Sequence, residues 1–404
     1  MTEHNITRLG HLGDGIADGP VFAPRTLPGE RVAGRLAEGK LADVRILTPS
    51  DARVKAPCRH YKGCGGCDLQ HAADAFVAEW KQTYVQQALN DQGIESQFRP
   101  IHTSPPNSRR RATFAARRTK GGALAGFHAR RSDVVVSVPD CHVLRPEIAG
   151  FLPVAEQLAQ IGASRKQPLS VAVTQSDEGL DVLVRDGKPL DGPLMQTLGQ
   201  IAQTANLARL TWEDEVIVTC VQPYQTFDDV RVVPPPGAFL QATQDGEQAL
   251  VSGVIEAIGV ATRVVDLFAG CGTFALPLTR TAAVHAVEGQ GDMLDAALNG
   301  WRMTSGRRTL SIESRDLFRN PLMADDLQGY EAAVIDPPRA GAQAQTAQLA
   351  ASDVPVIGFV SCNPVTFARD ARTLVDAGFG LEWVQVVDQF RWSMHTELVA
   401  CFKR

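Results

Sequence analysis

The sequence predicts an α/β protein: a small N-terminal β-barrel, a central α+β region and a C-terminal Rossmann-like sheet. Three observations carry that prediction. Residues 5–50 hold short apolar segments punctuated by Gly10, Gly13, Gly15, Gly19, Gly29 and Gly39, the rhythm of a five-stranded, OB-like barrel. Beyond residue 237, short apolar runs alternate with amphipathic stretches, the pattern of a mainly parallel sheet. Between them, Pro234-Pro235-Pro236-Gly237 forms a break that no helix or central strand would cross. The expected units are therefore residues 1–52, 53–236 and 237–404.

Composition narrows the class. At roughly 150 residues per domain, 404 residues accommodate two or three domains. A hydrophobic content of 44% with 21% charged residues is that of a soluble globular chain. Residues 1–10 carry no apolar core of a secretion signal, and no window approaches the ~18 apolar residues of a membrane span. A cytoplasmic, monomeric protein with no membrane partner is expected. In that setting the eight cysteines read as metal ligands or nucleophiles rather than disulfides.

The first chemical signal follows the barrel. Cys58, Cys64 and Cys67 are spaced C-x5-C-x2-C with Gly65 and Gly66 between the last two, a metal-site signature in which glycines let the backbone wrap. Cys141 is the candidate fourth ligand, with His60, His71 and His142 as competitors. Four thiolates would suit zinc or an iron–sulfur cluster, and the spacing alone leaves both open. Residues 69–90 read as a helix with Phe76, Trp80, Tyr84 and Ala88 on its apolar face, and residues 100–107 as a linker. Between Ser108 and Ser132 stand eight basic residues and no acidic one. They lie on a hairpin turning at Gly121-Gly122, which marks a candidate surface for RNA or another polyanion. Residues 169–185 form another expected hairpin and 209–221 a further strand or pair.

In the C-terminal unit, strands are expected to end at Asp266, Glu288, Asp316, Asp336, Cys362 and Asp388, with a last strand over 397–402. Open α/β sheets bind ligands at such ends. Asp266 leads into Gly270-Cys271-Gly272, a turn where backbone amides approach a ligand, and Glu288 lies 22 residues on, placed for a ribose diol. Two features favour S-adenosylmethionine over a dinucleotide. Ala275 stands where a third glycine would be, and Asp336-Pro337-Pro338-Arg339 and Ser361-Cys362-Asn363-Pro364 occupy the next strand ends, where a methyltransferase holds its acceptor. Cys362 sits between a buried strand and a helix over 366–377. Cys220, Cys271 and Cys401 read as core or cofactor-side thiols.

Seven stretches together carry a resemblance: CRHYKGCGGCDLQH, GAFLQATQDGEQAL, VVDLFAGCGTFALPL, AVEG, IDPPRAGA, VSCNPVTFARD and DQFRWSMHTE. Over residues 5–404 the chain resembles the class I RNA 5-methyluridine methyltransferases, and among them the bacterial 23S rRNA enzymes with a TRAM domain and a 4Fe–4S cluster. The resemblance implies that Cys58, Cys64, Cys67 and Cys141 hold the cluster. It also implies that Gln241, Phe268, Thr273, Glu288, Asp316 and Asp336 face S-adenosylmethionine, that Cys362 is the nucleophile and that Glu397 is the general base. The implied substrate is a uridine of structured RNA, 23S rRNA first and tRNA second, and part of residues 70–100 would pack on the catalytic domain. A non-catalytic RNA-binding metalloprotein is the alternative of another class. Arg391-Trp392-Ser393 departs from the family's Pro-His-Thr.

The chemistry explains the residue types. Carbon 5 of uracil is too weakly nucleophilic to attack a sulfonium methyl until a thiolate adds to C6, and a base must afterwards remove the C5 proton. A cysteine ordinarily needs its pKa of about 8.5 lowered for this, and the helix amino-terminus after Asn363 is the expected aid.

Overall fold

The computed structural model describes residues 1–404. The N-terminal five strands, Thr2–Leu9, Gly15–Ala17, Val21–Ala23, Arg31–Ala37 and Lys40–Thr48, close into a barrel. Ile6, Ala17, Val21, Ala23, Val32 and Leu41 fill it. In the central region, Arg111–Thr119, Gly122–His128, Leu169–Ser176, Gly179–Arg185, Arg209–Trp212 and Glu215–Thr219 supply six strands of a seven-stranded sheet. The alternation of buried and part-exposed residues along Leu169–Ser176 shows one face turned to the core. Helices Leu152–Gly162 and Gly192–Thr204 cover that face.

The catalytic sheet has eight strands: β1 (His102–Thr103), β2 (Arg263–Leu267), β3 (Ala283–Glu288), β4 (Leu310–Ser314), β5 (Ala332–Ile335), β6 (Val356–Ser361), β7 (Gly380–Asp388) and β8 (Glu397–Lys403). Their order is β4-β3-β2-β5-β6-β8-β7-β1. Strands β2 to β6 are parallel to one another, and β8 runs antiparallel between β6 and β7. The order reverses between β2 and β5, so the crevice at their carboxyl ends is the topological switch point. Ala332–Ile335 is buried throughout, as expected for a parallel strand covered on both faces.

Two expectations are corrected here. Residues 100–107 contain β1, which pairs with β7 at the sheet edge. The helix begins at Asp74 and buries Val77, Lys81, Val85, Ala88 and Leu89, one residue round from the face expected. Val85, Ala88, Leu89 and Ile94 join the core beneath the catalytic sheet, while Trp80 and Tyr84 stack on each other at the rim. The helix thus turns an aliphatic stripe, not its aromatics, to the sheet.

The helix after the nucleophile candidate spans Pro364–Asp376. Asn363 caps it, its side chain accepting from the Val365 amide at 3.1 Å, with Pro364 in the first turn; this combination fixes a helix start. Helix Gln244–Ile258 is capped by Thr243.

Arg110, expected with Arg109 and Arg111 on a polyanion-binding hairpin, is instead buried in an ion pair. Arg110 is 4% exposed and pairs with the equally buried Glu247 at 2.5 Å, while its Nε donates to the Gln241 carbonyl. It joins the central sheet to helix Gln244–Ile258. Of the eight basic residues, Arg117, Arg118, Lys120 and Arg131 are exposed, the first three around the hairpin turn. Cys220 is likewise exposed rather than in a core. Arg110→Ala leaves Glu247 ionised and unpaired in the interior. A loss of ~3–5 kcal/mol of stability is expected in denaturant titrations, with much of it restored in an Arg110→Met, Glu247→Leu double variant.

Candidate active site

One cavity of about 1250 Å³ brings together the residues that the resemblance assigns to cosubstrate, catalysis and cluster, while Asp266, His60, His71 and His142 lie outside its lining. Gln241, Phe268, Thr273, Glu288, Asp316 and Asp336 line it, as do Cys362, Glu397 and the four cysteines Cys58, Cys64, Cys67 and Cys141. Small-ligand sites typically occupy ~300–1,000 Å³, so this one has room for a nucleoside cosubstrate and an extruded base together.

The cosubstrate side is built on the turn after β2. Phe268 adopts φ 64° and Gly270 φ 54°, a left-handed conformation that glycine takes freely and phenylalanine only under constraint. The Phe268 ring meets Phe318 at 5.4 Å between centroids. Glu288 ties the turn to β3: its carboxylate accepts from the Gly270 amide at 3.1 Å and the Gln290 amide at 3.0 Å. Asp316 accepts from the Phe318 amide at 3.0 Å and so orients that ring. Asp266 is fully buried, and neither carboxylate oxygen has a hydrogen-bond partner. Burial, with Asp336 nearby, pushes its pKa well up. Asp266 does not line the cavity, whereas Glu288 and Asp316 do, and these acceptors fit a ligand that brings hydroxyl donors and a cation, as S-adenosylmethionine does.

On the acceptor side Cys362 follows β6, half-buried. Burial first, then Glu397 and Asp336, push its thiol up to about 12. The expected help from the helix amino-terminus does not prevail, because Asn363 already caps the Val365 amide. In the ligand-free protein Cys362 is a thiol. Glu397 opens β8 at 3% exposure, its pKa raised well above the ordinary value by burial and by Asp336. Asp336, pushed up to about 7 by burial, accepts from Gln241 Nε2 at 3.2 Å. His395 lies against Arg339 at 2.8 Å, and burial together with that cation lowers it to about 4. It is neutral, and with its proton affinity lowered and Arg339 against its ring it is a weak candidate for a second base.

The cysteine side lies where Cys64 bridges to Ala129. The Gly66 amide donates to Cys64 Sγ at 3.3 Å, and the Val143 and Leu144 amides approach the Cys141 sulfur. Amides aimed at sulfur suit thiolates that carry negative charge onto a metal. A Cβ at Gly65 would lie 2.8 Å from the His128 carbonyl, so glycine is required there. Burial raises the thiols of Cys64, Cys67 and Cys141, Cys67 to about 12, so these three are protonated without a metal. No three His, Cys, Asp or Glu side chains converge closely enough to hold one metal ion. Four thiols lining one wall of the cavity are a donor set that zinc and an iron–sulfur cluster both accept.

The sequence did not single out Gln389. Its amide is 2% exposed and donates both to Gln241 Oε1 at 2.6 Å and to Glu397 Oε2 at 3.0 Å. Arg111 and Phe239 were also missed as a pair; the guanidinium lies 4.4 Å over the ring at the cavity wall. The only signal for them was proximity to quoted stretches.

Comparison with known proteins agrees with this geometry. The family model for tRNA (uracil-5-)-methyltransferases matches residues 234–404. An uncharacterized RNA methyltransferase of Rhizobium meliloti is 42% identical over 99% of this chain and 98% of its own. The 23S rRNA (uracil(1939)-C(5))-methyltransferase RlmD of Vibrio parahaemolyticus is 31% identical over 99% of this chain and 95% of its own. The chain belongs to the RNA (uracil-5-)-methyltransferase family. The structure of the Pyrococcus abyssi tRNA (uracil-54, C5)-methyltransferase with S-adenosyl-L-homocysteine shares the fold of this methyltransferase, with a TM-score of 0.78 over 99% of each chain at 22% identity.

The buried acids give the methyltransferase a characteristic pH dependence. Asp336 titrates at about 7 when folded against an ordinary 3.8. Between those values the folded state holds more protons than the unfolded one, so stability falls as pH rises from about 4 to about 7 and levels off above. Asp336→Asn should flatten this part of the melting-temperature profile of the ligand-free protein. An unchanged slope would mean that Asp336 is ionised throughout.

Proposed function

We propose that this protein methylates C5 of a specific uridine in 23S rRNA, with Cys362 as nucleophile and Glu397 as general base. The observation that carries the proposal is the meeting of Cys362, Glu397 and Asp336 with the Phe268–Glu288 turn in one cavity. The full-length similarity to a 23S rRNA enzyme favours rRNA over tRNA.

In this reading Gln241, Phe268, Thr273, Glu288, Asp316 and Asp336 hold S-adenosylmethionine, which when bound supplies the methyl group. Asp336, ionised above about pH 7, takes the Cys362 proton, and the freed thiolate adds to C6 of the uracil. The C5–C6 electron pair shifts to make C5 nucleophilic, and C5 takes the methyl group. Glu397 then removes the C5 proton, the C5–H electrons restore the double bond, and the C6–S pair returns to Cys362. Reaching a base in structured RNA requires its extrusion from the stack. Arg117, Arg118 and Lys120 on the exposed hairpin fit the phosphates around it.

Cys58, Cys64, Cys67 and Cys141 would hold a 4Fe–4S cluster. Anaerobically purified protein is expected to be brown with about four irons per chain. Each Cys→Ser change should remove that colour. A colourless protein holding one zinc would contradict the assignment.

Cys362→Ala is expected to abolish methylation and every covalent RNA complex. Glu397→Gln should accumulate a denaturation-resistant RNA adduct that already carries the methyl group, because elimination alone is blocked. Normal turnover by Glu397→Gln would overturn its role as base. Mapping 5-methyluridine in total RNA of a deletion strain tests the target: loss from 23S rRNA supports the reading, and loss confined to tRNA contradicts it.

A further inference from the structure

Asp336 and Glu397 are two buried acids of one cavity, bridged by two glutamines. Gln389 Oε1 accepts from the Ala242 amide at 2.7 Å, and that backbone donor decides which way the side-chain amide faces. Its nitrogen must then point toward Gln241 Oε1 and Glu397 Oε2. Gln241, with its oxygen taken, turns its own nitrogen to Asp336 Oδ2. Both amides are thus polarised from one backbone N–H, and each acid receives an N–H donor.

The frame around this chain is rigid. The Ala242 carbonyl accepts from the Arg110 amide, and Asp388, next to Gln389, is held by Lys81 at 2.5 Å. A Cβ on Gly246 would lie 2.8 Å from Gln389 Cβ, so glycine there admits the side chain.

We infer that Gln389 is the positioning residue of the general base, its fixed amide holding Glu397 as a hydrogen-bond acceptor and, through Gln241, aligning Asp336 with it. This rests on the reading of Glu397 as base. The reason is chemical: a base must present a free, ionised oxygen to the C5 proton, and two acids in one dry cavity otherwise keep a proton between them. A primary amide with its oxygen already engaged can only donate, so it favours the ionised carboxylate and leaves Glu397 Oε1 to face the substrate. The other charged or titratable groups acting on Glu397 are Asp336, which disfavours its ionisation, and Arg339 and Arg111, which favour it. Cys362 shares the cavity.

The test measures breakdown of the methylated RNA adduct in single turnovers from pH 6 to 9.5. It compares wild type, Gln389→Met and Gln389→Glu, with Glu397→Gln in parallel. Gln389→Met removes the donor. Gln389→Glu keeps the shape and the acceptor for the Ala242 amide, but has no donor when ionised and adds a like charge. Losing a donor to a charged group raises the carboxylate's pKa, so the acid limb should move up by ~1 unit or more in Gln389→Met and further in Gln389→Glu. Breakdown at pH 7 slows roughly tenfold, with recovery toward wild type above pH 9 and S-adenosylmethionine affinity within a few-fold. A loss that is uniform across pH, or an unmoved acid limb in both variants, would overturn the inference. Normal turnover by Glu397→Gln would instead overturn the base assignment, whatever Gln389 does.

Discussion

The active site depends on one buried ion pair. Lys81 and Asp388 are both essentially inaccessible, and the lysine also donates to the Phe390 carbonyl at 3.1 Å. Asp388 is the last residue of β7, and from it the chain runs through Gln389, Arg391, Trp392 and His395 to Glu397. Taking two charges from water costs more than most pairs return, so this one is better understood as a specifier of register than as a source of stability. It fixes where the segment leaves the sheet, and hence where Gln389 and Glu397 face. The lysine comes from helix Asp74–Asn90, far upstream in sequence. The cysteine-bearing part of the chain and the C-terminal sheet are therefore joined at the point where Glu397 is placed.

The departure at Arg391-Trp392-Ser393 strengthens that joint. Arg391 pairs with Asp74 in the first turn of the same helix, and the Trp392 indole donates to Asp74 at 3.0 Å. The Trp392 carbonyl accepts from the amides of Asp68 and Leu69, immediately after Cys67. The loop before Glu397 thus touches the loop that carries three of the four clustered cysteines. Ordering of the cysteine loop and placement of Glu397 are mechanically linked.

Much of the fold was legible because periodicity reports burial. The barrel's glycine rhythm, the alternation in the central strands and the strand ends at Glu288, Asp336, Cys362 and Asp388 all follow from which residues face a core. The site residues were legible through motif resemblance, which brought Gln241 and Glu397 to one place although they lie on separate elements. Charge was the least legible. A run of three arginines reads in sequence as part of a polyanion-binding surface, yet Arg110 is consumed by Glu247 and Arg111 lies over Phe239; the partners lie more than 120 residues away. The helix face was misjudged because its aromatics advertise hydrophobicity while the aliphatic stripe one residue round does the packing. Gln389 was invisible for a related reason: only tertiary contacts distinguish a wired amide from a surface one.

The central claim is that Cys362 attacks C6 of a uracil. Replacing the uridines of a 23S rRNA fragment with 5-fluorouridine removes the proton that Glu397 would take, so the reaction should halt after methyl transfer. Incubation with S-adenosylmethionine, digestion and mass spectrometry should yield the peptide containing Cys362 bearing one 5-fluorouridine nucleotide plus one methyl group. An adduct on another cysteine, or methylated RNA with no adduct on Cys362, would contradict the account.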